Sequence, residues 1–324
     1  MGFRSKRKPE KNGRICFATD IHGSDRCFRK FLNAAKFYEA NYLILGGDIT
    51  GTTIVPIERT ATGWRCTYND HTYVDLTERE GRELEQLIRD NGQYPMTGVR
   101  EELLERLTTE HAEQTFKELV IESIRRWMTL AEERLAGTGV RCFVAPGNDD
   151  FWEIDDTLKG AQAVEFVENK AVHLDNGYEM ITTGYSNITP WRTPRELPED
   201  ELAARLEAMF RQVEDPEHLI AVLHPPPFGT QLDQAPLVDD ELRVKTFAGG
   251  VTVGPVGSTA VRDFIVEHQP LISLHGHVHE SQAAQRLGRT LCLNPGSEYT
   301  AGTLSCVLVQ LNGTRVPEYQ FTTG

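Results

Sequence analysis

Five short motifs that contain Asp, Asn or His follow one another along the chain, and each comes directly after an apolar run. Their side chains offer carboxylate, carboxamide and imidazole groups, which are common ligands of metal ions. Five such motifs in this order predict a site for two metal ions, and a site of that kind activates water against a phosphate ester. In chain order they are Asp20-Ile-His22, Gly47-Asp48, Gly147-Asn148-Asp149-Asp150, His224 and His275-Gly-His277-Val-His279.

The spacing within the motifs allows two side chains of one motif to bind the same metal ion. Side chains alternate along an extended segment, so Asp20 and His22 point to the same side, where one ion can bind both. His277 and His279 have the same spacing. Asp48 follows two glycines, which permit a close approach of the backbone, and a carboxylate there can bridge two cations. The mixed oxygen and nitrogen donors favour Mn, Fe, Zn or Co over Ca or Mg.

The segments around the motifs indicate an α/β fold, because apolar runs of strand length alternate with helical patterns. Each motif follows a predicted strand, and α/β sheets place their sites at the C-terminal ends of strands. Helices are predicted to begin after Ser24 and after Ser258, each of which can cap a helix. The predicted strands cover residues 14–19, 42–45, 141–145, 219–223, 271–274, 289–293 and 304–311.

Residues 52–138 interrupt this alternation between the second and third predicted strands. Within them, residues 64–76 alternate as a β-hairpin with Asn69-Asp70 as its turn. A long amphipathic stripe over 116–135 predicts a helix. We therefore predict an inserted, mostly helical cap. Its last helix should pack on a sheet, and its hairpin should form a lid that can bring His71 to a substrate.

Length and composition set the broad class of protein. The chain has 324 residues, of which 39% are apolar, so it can bury a substantial core. It lacks an apolar run of roughly 18 residues, the length needed to cross a bilayer, and its start lacks the pattern of a signal peptide. We expect a cytoplasmic protein with no membrane partner. Residues 1–13 are expected to form a basic, disordered tail and 14–324 one domain.

Charge and cysteine usage narrow the expected partners. The formal net charge is −14, and so acidic a surface repels the backbone of nucleic acids. The expected substrate is therefore a small or medium phosphate ester, and long nucleic acid is not expected to bind. Six cysteines without a CxxC pair should be buried free thiols. The oligomeric state remains open.

The order D-x-H, GD, GN, H, GHxH resembles the calcineurin-like metallophosphoesterase superfamily. Segments 224–233, 276–281 and 293–297 are similar to its small prokaryotic phosphodiesterase branch. The resemblance covers the chain except the tail and the insertion. It implies a four-layer α+β sandwich, in which two packed mixed β-sheets are flanked by helices.

The resemblance also implies two divalent or mixed-valence transition-metal ions, with Mn preferred and Fe, Zn or Co as alternatives. A hydroxide that bridges the ions would attack phosphorus in line, as expected of a phosphodiesterase. The alternatives are a phosphomonoesterase or nuclease of the same superfamily, or a non-catalytic scaffold that binds metal. The first ion would bind Asp20, His22, Asp48 and His279, and the second would bind Asp48, Asn148, His224 and His277.

One motif departs from the family pattern. The family usually has Gly-Asn-His-Asp or Gly-Asn-His-Glu, whereas this chain has Asp149 in place of the His. That His normally contacts the phosphate or protonates the leaving oxygen, so Asp149 and Asp150 are candidate catalytic residues. An ionised Asp149 would repel a phosphate unless it is protonated or turned away. The departure favours a phosphodiester over a monoester as substrate.

Overall fold

A computed structural model describes residues 12–239 and 241–324 of the chain. Most of the predicted basic tail, residues 1–11, lies outside the described residues. Asn12 and Gly13, which the sequence analysis assigned to that tail, are the first residues of a strand. The first strand therefore includes two residues that the sequence analysis placed in the tail.

The strands and helices are numbered here in chain order. The strands are β1 (Asn12–Ala18), β2 (Tyr42–Gly46), β3 (Ile54–Arg59), β4 (Trp64–Tyr68), β5 (His71–Leu76), β6 (Tyr94–Gly98), β7 (Arg141–Ala145), β8 (Glu165–Phe166), β9 (Lys170–His173), β10 (Glu179–Thr183), β11 (Ser186–Asn187), β12 (Glu196–Leu197), β13 (Leu219–Leu223), β14 (Gln234–Pro236), β15 (Thr246–Phe247), β16 (Gly250–Val251), β17 (Val253–Pro255), β18 (Ile272–Leu274), β19 (Ala283–Leu287), β20 (Thr290–Asn294), β21 (Ser305–Asn312) and β22 (Glu318–Thr323). The helices are α1 (Asp25–Phe37), α2 (Glu78–Asp90), α3 (Arg100–Arg106), α4 (Ala112–Leu135), α5 (Ile154–Lys159), α6 (Glu199–Phe210) and α7 (Thr259–His268).

Two six-stranded mixed sheets form the centre of the fold. The first has the strand order β22-β21-β1-β2-β7-β8, in which β1, β2 and β7 are parallel. The second has the order β19-β20-β18-β13-β10-β9, in which β20, β18, β13 and β10 are parallel. All seven strands predicted from the sequence lie in these sheets, with ends shifted by at most two residues. The predicted pair of mixed sheets is confirmed.

Alternating side chains of the strands build separate apolar layers. Ile15 and Phe17 of β1 belong to one buried cluster with Ile220 of β13, and this cluster fills the space between the sheets. Cys16, from the opposite face of β1, packs in a second cluster with residues of α1, α4 and α5. A third cluster lies between the second sheet and helices α6 and α7. The result is the predicted four-layer arrangement of helices, sheet, sheet and helices.

Both predicted helix starts are confirmed. The Ser24 hydroxyl accepts a hydrogen bond from the backbone nitrogen of Cys27 at 3.2 Å, which caps α1. Ser258 accepts from the backbone nitrogen of Val261 at 3.1 Å and caps α7. Side-chain acceptors at these positions satisfy amide groups that have no partner within the helix.

The insertion at 52–138 contains more β-structure than the sequence predicts. The hairpin of β4 and β5 is confirmed, and Asn69 and Asp70 in its turn both have positive φ. Strands β3 and β6 extend it to a four-stranded sheet in the order β5-β4-β3-β6, against which α2 packs. The long helix α4 returns to the core, where the Trp127 ring stacks on Phe28 with centroids 4.4 Å apart. Helices still supply most of the regular structure in the insertion, as predicted.

Two further expectations concern the chain as a whole. All six cysteines are unpaired and buried, as the sequence analysis predicted. Among the described residues, no helix combines the length and apolar character that crossing a membrane requires.

Candidate metal centre

The predicted metal ligands converge where the two sheets end. Asp20, Asp48 and Asn148 follow β1, β2 and β7 of the first sheet. His224 follows β13 of the second sheet, and the two His residues of the GHxH motif follow β18. The parallel strands of each sheet bring their C-terminal ends to one edge. Because the two sheets are packed face to face, these two edges meet at a single cluster of polar side chains.

Donor atoms in this cluster form two groups. Asp20, His22 and His279 offer one group, and Asp48, His224 and His277 offer another, with the atoms of each group within 4.8 Å of one another. In the first group, Nε2 of His279 lies 3.4 Å from Oδ1 of Asp20 and 3.0 Å from Nε2 of His22. Each group contains three of the four residues in one of the ligand sets that the resemblance implies. The structure therefore contains candidate ligand clusters for two divalent metal ions.

Asp48 connects the two groups. Its Oδ2 atom lies 3.2 Å from Nε2 of His224 and 4.0 Å from Nε2 of His22. Its Oδ1 atom accepts a hydrogen bond from the backbone nitrogen of Asp149 at 2.9 Å. One carboxylate oxygen is thus held by the backbone, while the other faces imidazoles of both groups.

Backbone carbonyls orient two of the four imidazoles toward the centre of the cluster. Nδ1 of His22 lies 3.3 Å from the carbonyl oxygen of Thr50, and Nδ1 of His224 lies 3.1 Å from that of Gly46. A carbonyl only accepts, so Nδ1 donates and the Nε2 lone pair points inward. With Nδ1 as the donor, the buried Nε2 of His224 has no donor to accept from within the described residues, because the atom that faces it is a carboxylate oxygen of Asp48. A buried acceptor in this position fits a metal ion.

Asn148 is held by the same kind of network. Its Nδ2 group donates to Oγ1 of Thr193 at 2.9 Å and to Oδ1 of Asp149 at 3.0 Å. Its Oδ1 atom lies 2.6 Å from Nδ1 of His277. This orientation of the amide, assigned from its hydrogen bonds, presents a neutral oxygen beside the second group of donors.

Strained backbone marks four of the predicted ligands. The φ angles of Asp20, His22, Asp48 and His277 are 52°, 38°, 45° and 67°. Residues with a Cβ atom rarely adopt this left-handed conformation, which costs on the order of 1–3 kcal/mol each. The surrounding fold therefore holds these side chains in place, and local stability is lower as a result.

Two glycines allow the ligand-bearing turns to approach one another. A Cβ atom at Gly147 would lie 2.2 Å from both the backbone nitrogen and Oδ1 of Asp48. A Cβ atom at Gly276 would lie 2.3 Å from Oδ2 of Asp20. Neither distance leaves room for a methyl group, so only glycine fits at these positions.

Asp150 connects two of the ligand-bearing turns. Its Oδ2 atom accepts from the backbone nitrogens of Ile49 at 3.0 Å and Gly147 at 2.8 Å. Its Oδ1 atom accepts from the backbone nitrogen and Oγ1 of Thr50 at 2.9 and 2.6 Å. The sequence analysis treated Asp150 as a candidate catalytic residue. Since all four bonds point to the turns after β2 and β7, its geometry fits the positioning of those turns better than contact with a substrate.

Asp149 points into the cluster and is not turned away from it. Its carboxylate forms a third group of donor atoms with His22 and Asp48, again within 4.8 Å of one another. Burial, followed by the negative charges of Asp48 and Asp150, raises the pKa of Asp149 to about 8. The position where the family usually has His therefore places a third carboxyl group beside Asp20 and Asp48.

The field within the cluster favours positive charge. Burial opposes a charge on His224, but the carboxylates of Asp48 and Asp20 outweigh it and raise its pKa to about 10. Burial also acts to raise the pKa of Asp48, yet His224 and His22 hold it well below its usual range. The carboxylates that stabilise a proton on His224 would also stabilise a metal cation among the donors. The residues therefore fit metal ions in charge as well as in donor type.

Sequence reasoning missed two residues that support the turn after β7. Oγ1 of Thr193, which accepts from Asn148, donates to Glu196 at 2.8 Å. Arg195 is fully buried and donates through Nε to the carbonyl oxygen of Asp150 at 2.7 Å. Neither residue belongs to a motif, and only the folded chain brings the loop at 189–195 to this turn.

The segment at 293–297, noted in the sequence for its family resemblance, also supports the site. Oγ of Ser297 donates to the carbonyl oxygen of Asp20 at 2.6 Å. Just beyond it, the ring of Tyr299 lies 4.7 Å from the ring of His22 and 6.1 Å from that of His279, measured between centroids. Tyr299 was not predicted, because a single aromatic residue in a loop carries no pattern.

Comparisons with known proteins identify the family and support the fold. The family model described as calcineurin-like phosphoesterase matches residues 13–281. An uncharacterised protein of Methanocaldococcus jannaschii, MJ1162, is 29% identical over 152 residues, which make up 46% of this chain and only 61% of that protein. The solved structure of TT1561 from Thermus thermophilus superimposes with a TM-score of 0.56 at 13% identity, covering 96% of this chain and 98% of that chain. This second likeness concerns the fold alone.

Proposed function

The chain belongs to the calcineurin-like phosphoesterase family, and from that premise we propose that it is a phosphodiesterase that uses two metal ions. The observation that carries the proposal is the meeting of two groups of donor atoms around Asp48. Two ions held there would neutralise phosphoryl oxygens and activate a water molecule.

Each side chain of the cluster has a distinct role in this proposal. Asp48 is shared by both ions, and the imidazoles of His22 and His224 present lone pairs whose direction is fixed by backbone carbonyls. Asn148 contributes a neutral oxygen. We assign Asp20, His22, Asp48 and His279 to the first ion, and Asp48, Asn148, His224 and His277 to the second. We propose Mn²⁺ as the native ion, because this mixture of oxygen and nitrogen donors suits it.

The preference for a diester rests on Asp149. Its carboxyl group lies among the donors, and the positive charge of bound metal ions would favour its ionised form although burial raises its pKa. The ionised form adds negative charge where the substrate phosphate must bind. A monoester carries up to two negative charges near neutral pH and a diester carries one, so an ionised Asp149 repels the monoester more strongly. A difference of about 1.4 kcal/mol in this repulsion corresponds to a tenfold difference in rate.

The substrate class and compartment follow from composition. The net charge of −14 supports a small or medium phosphate ester over long nucleic acid. Six buried free thiols support a reducing compartment such as the cytoplasm.

The proposal is tested with two aryl esters that share a leaving group. Metal-stripped protein is loaded with Mn²⁺, and kcat/KM is measured for bis-p-nitrophenyl phosphate and for p-nitrophenyl phosphate. We expect hydrolysis only with the metal, and a preference for the diester of at least about tenfold. A preference for the monoester would make the protein a monoesterase. Two bound ions without turnover of either ester would make it a scaffold.

A further inference from the structure

We propose that Asp149 is itself a metal-binding residue, an eighth donor that adds a carboxylate oxygen to the site of the first ion. The inference rests on the function proposed above and concerns which metal ion the first site prefers. Its basis is the third group of donor atoms, in which the carboxylate of Asp149 lies with His22 and Asp48 within 4.8 Å.

Local hydrogen bonds leave one oxygen of each neighbouring carboxylate for an ion. The backbone nitrogen of Asp149 donates to Oδ1 of Asp48 at 2.9 Å, and Nδ2 of Asn148 donates to Oδ1 of Asp149 at 3.0 Å. Oδ2 of Asp48 then faces His22 at 4.0 Å. The two carboxylates are thus anchored through their Oδ1 atoms on adjacent turns, and both reach the His22 side of the centre.

A fifth donor changes which ion the first site prefers. Four donors, from Asp20, His22, Asp48 and His279, already complete the tetrahedral set that Zn²⁺ favours. Mn²⁺ accepts more ligands and prefers oxygen, so an additional carboxylate strengthens its binding more than that of Zn²⁺. Asp149 would therefore bias the first site toward Mn²⁺.

This prediction separates ligation from a general effect of charge. If Asp149 acted only through space, removing its charge would weaken all dications to a similar extent, because Coulomb energy depends on charge and distance. A ligand that completes the coordination of one ion and not of the other gives an unequal effect. The comparison of two metals is therefore the decisive measurement.

The experiment titrates Mn²⁺ and, separately, Zn²⁺ into the metal-stripped full chain by calorimetry. Wild-type protein is compared with Asp149→Asn, which keeps the shape of the side chain but lowers its affinity for metal. The matched control is Asp156→Asn, since the side chain of Asp156 is 94% exposed. We expect Asp149→Asn to raise the Mn²⁺ dissociation constant of one site at least about tenfold, as loss of a supporting or direct ligand does. The Zn²⁺ constants should rise by less than about threefold, and the control should match wild type.

Thermal unfolding provides a second readout that does not depend on turnover. Asp149→Asn removes repulsion from Asp48, so the metal-stripped variant should melt at or above the temperature of wild type. With Mn²⁺ the order should reverse, because wild type binds the ion more tightly. If Asp149→Asn did not fold, Asp149→Ser would carry the same comparison.

The outcomes are distinct from those of the proposed function. Unchanged dissociation constants, or equal rises for Mn²⁺ and Zn²⁺, would show that Asp149 is not a ligand even if the wild type cleaves diesters. Conversely, suppose that Asp149→Asn selectively loses Mn²⁺ affinity and that the wild type cleaves neither ester. This result would support Asp149 as a metal ligand and refute the proposed phosphodiesterase activity. Metal affinity is measured without substrate, so the result for Asp149 as a ligand does not depend on the result for ester hydrolysis.

Discussion

The two-sheet core and the insertion at 52–138 use their residues in different ways. In the core, every predicted metal ligand follows the C-terminal end of a strand, and four of them adopt strained left-handed backbone. The insertion has a small apolar cluster of its own, which includes Trp64, Leu84 and Ile88. None of the described candidate ligand groups includes a residue of the insertion. The core thus holds its ligands on strained backbone at a cost in stability, whereas the insertion carries none of the candidate ligands and packs on the core through α4.

The two regions nevertheless meet at the edge of the site. The backbone nitrogen of Gly51, three residues after Asp48, donates to the hydroxyl of Tyr94 at 2.8 Å. Asp90, at the end of α2, accepts from Arg29 at 2.7 Å and from Arg26 at 3.1 Å. The insertion is therefore anchored at its base, and its hairpin projects from that base. This arrangement predicts that the core alone determines metal binding, while the insertion determines what surrounds the substrate.

Loss of Asp48 should give the largest effect. Asp48→Ala removes a donor shared by both groups, so metal content should fall below two ions per chain. The value of kcat/KM should fall by more than about 100-fold, the upper range for residues that only support a ligand. Metal analysis and diester hydrolysis measure both quantities. The comparison variant is His71→Ala, because His71 lies exposed on the hairpin and should leave both ions bound. Two ions in Asp48→Ala, or a lost ion in His71→Ala, would contradict the division between core and insertion.

The core could be predicted from sequence because its pattern is local. Apolar runs such as 42–45 and 219–223 are short, buried on both faces and followed within three residues by a ligand. The insertion was harder to predict. Strand β6 contains Pro95 and pairs in parallel with β3, from which it is separated by the whole of β4, β5 and α2. A strand that is defined by a distant partner leaves little trace in its own sequence.

The same reasoning explains which parts of the site were found. Seven predicted ligands come together because each lies within five residues of the C-terminal end of an apolar strand. Thr193, Arg195 and Tyr299 reach the site from loops, and their roles depend on tertiary contacts alone. Asp150 was noticed through its motif, but sequence cannot distinguish a carboxylate that faces a substrate from one that accepts four hydrogen bonds from neighbouring turns.

An intermediate effect is expected from Asp150→Asn. The NH2 group that replaces one carboxylate oxygen cannot accept a hydrogen bond, so at least one backbone donor among Ile49, Thr50 and Gly147 loses its partner. This should lower the free energy of unfolding by about 1–3 kcal/mol. Because these donors lie in two ligand-bearing turns, Mn²⁺ affinity should also fall, by roughly 10- to 100-fold.

Asp90, a buried acid of the insertion, provides a matched control for Asp150→Asn. Asp90 is also buried and accepts from two arginines, so Asp90→Asn should lower stability as well. The Mn²⁺ affinity of the Asp90→Asn variant should remain that of wild type. Chemical unfolding of the metal-stripped proteins and calorimetric titration measure the two effects separately. Equal losses of affinity in both variants would mean that general destabilisation, and not the position of the turns, controls metal binding.

The smallest effect on chemistry is expected at the junction itself. Tyr94→Phe keeps a ring that is 3% exposed but leaves the backbone nitrogen of Gly51 without its acceptor. An unsatisfied buried donor costs about 1–3 kcal/mol, which urea unfolding would detect. Both ions should stay bound, and kcat/KM should change by less than about threefold, because additional contacts such as those of Asp150 continue to hold the turn after β2. Tyr319→Phe, at a tyrosine that is 44% exposed, should change neither quantity. A large loss of metal in Tyr94→Phe would show that the insertion helps to position Asp48, and the core could then no longer be regarded as sufficient for the metal site.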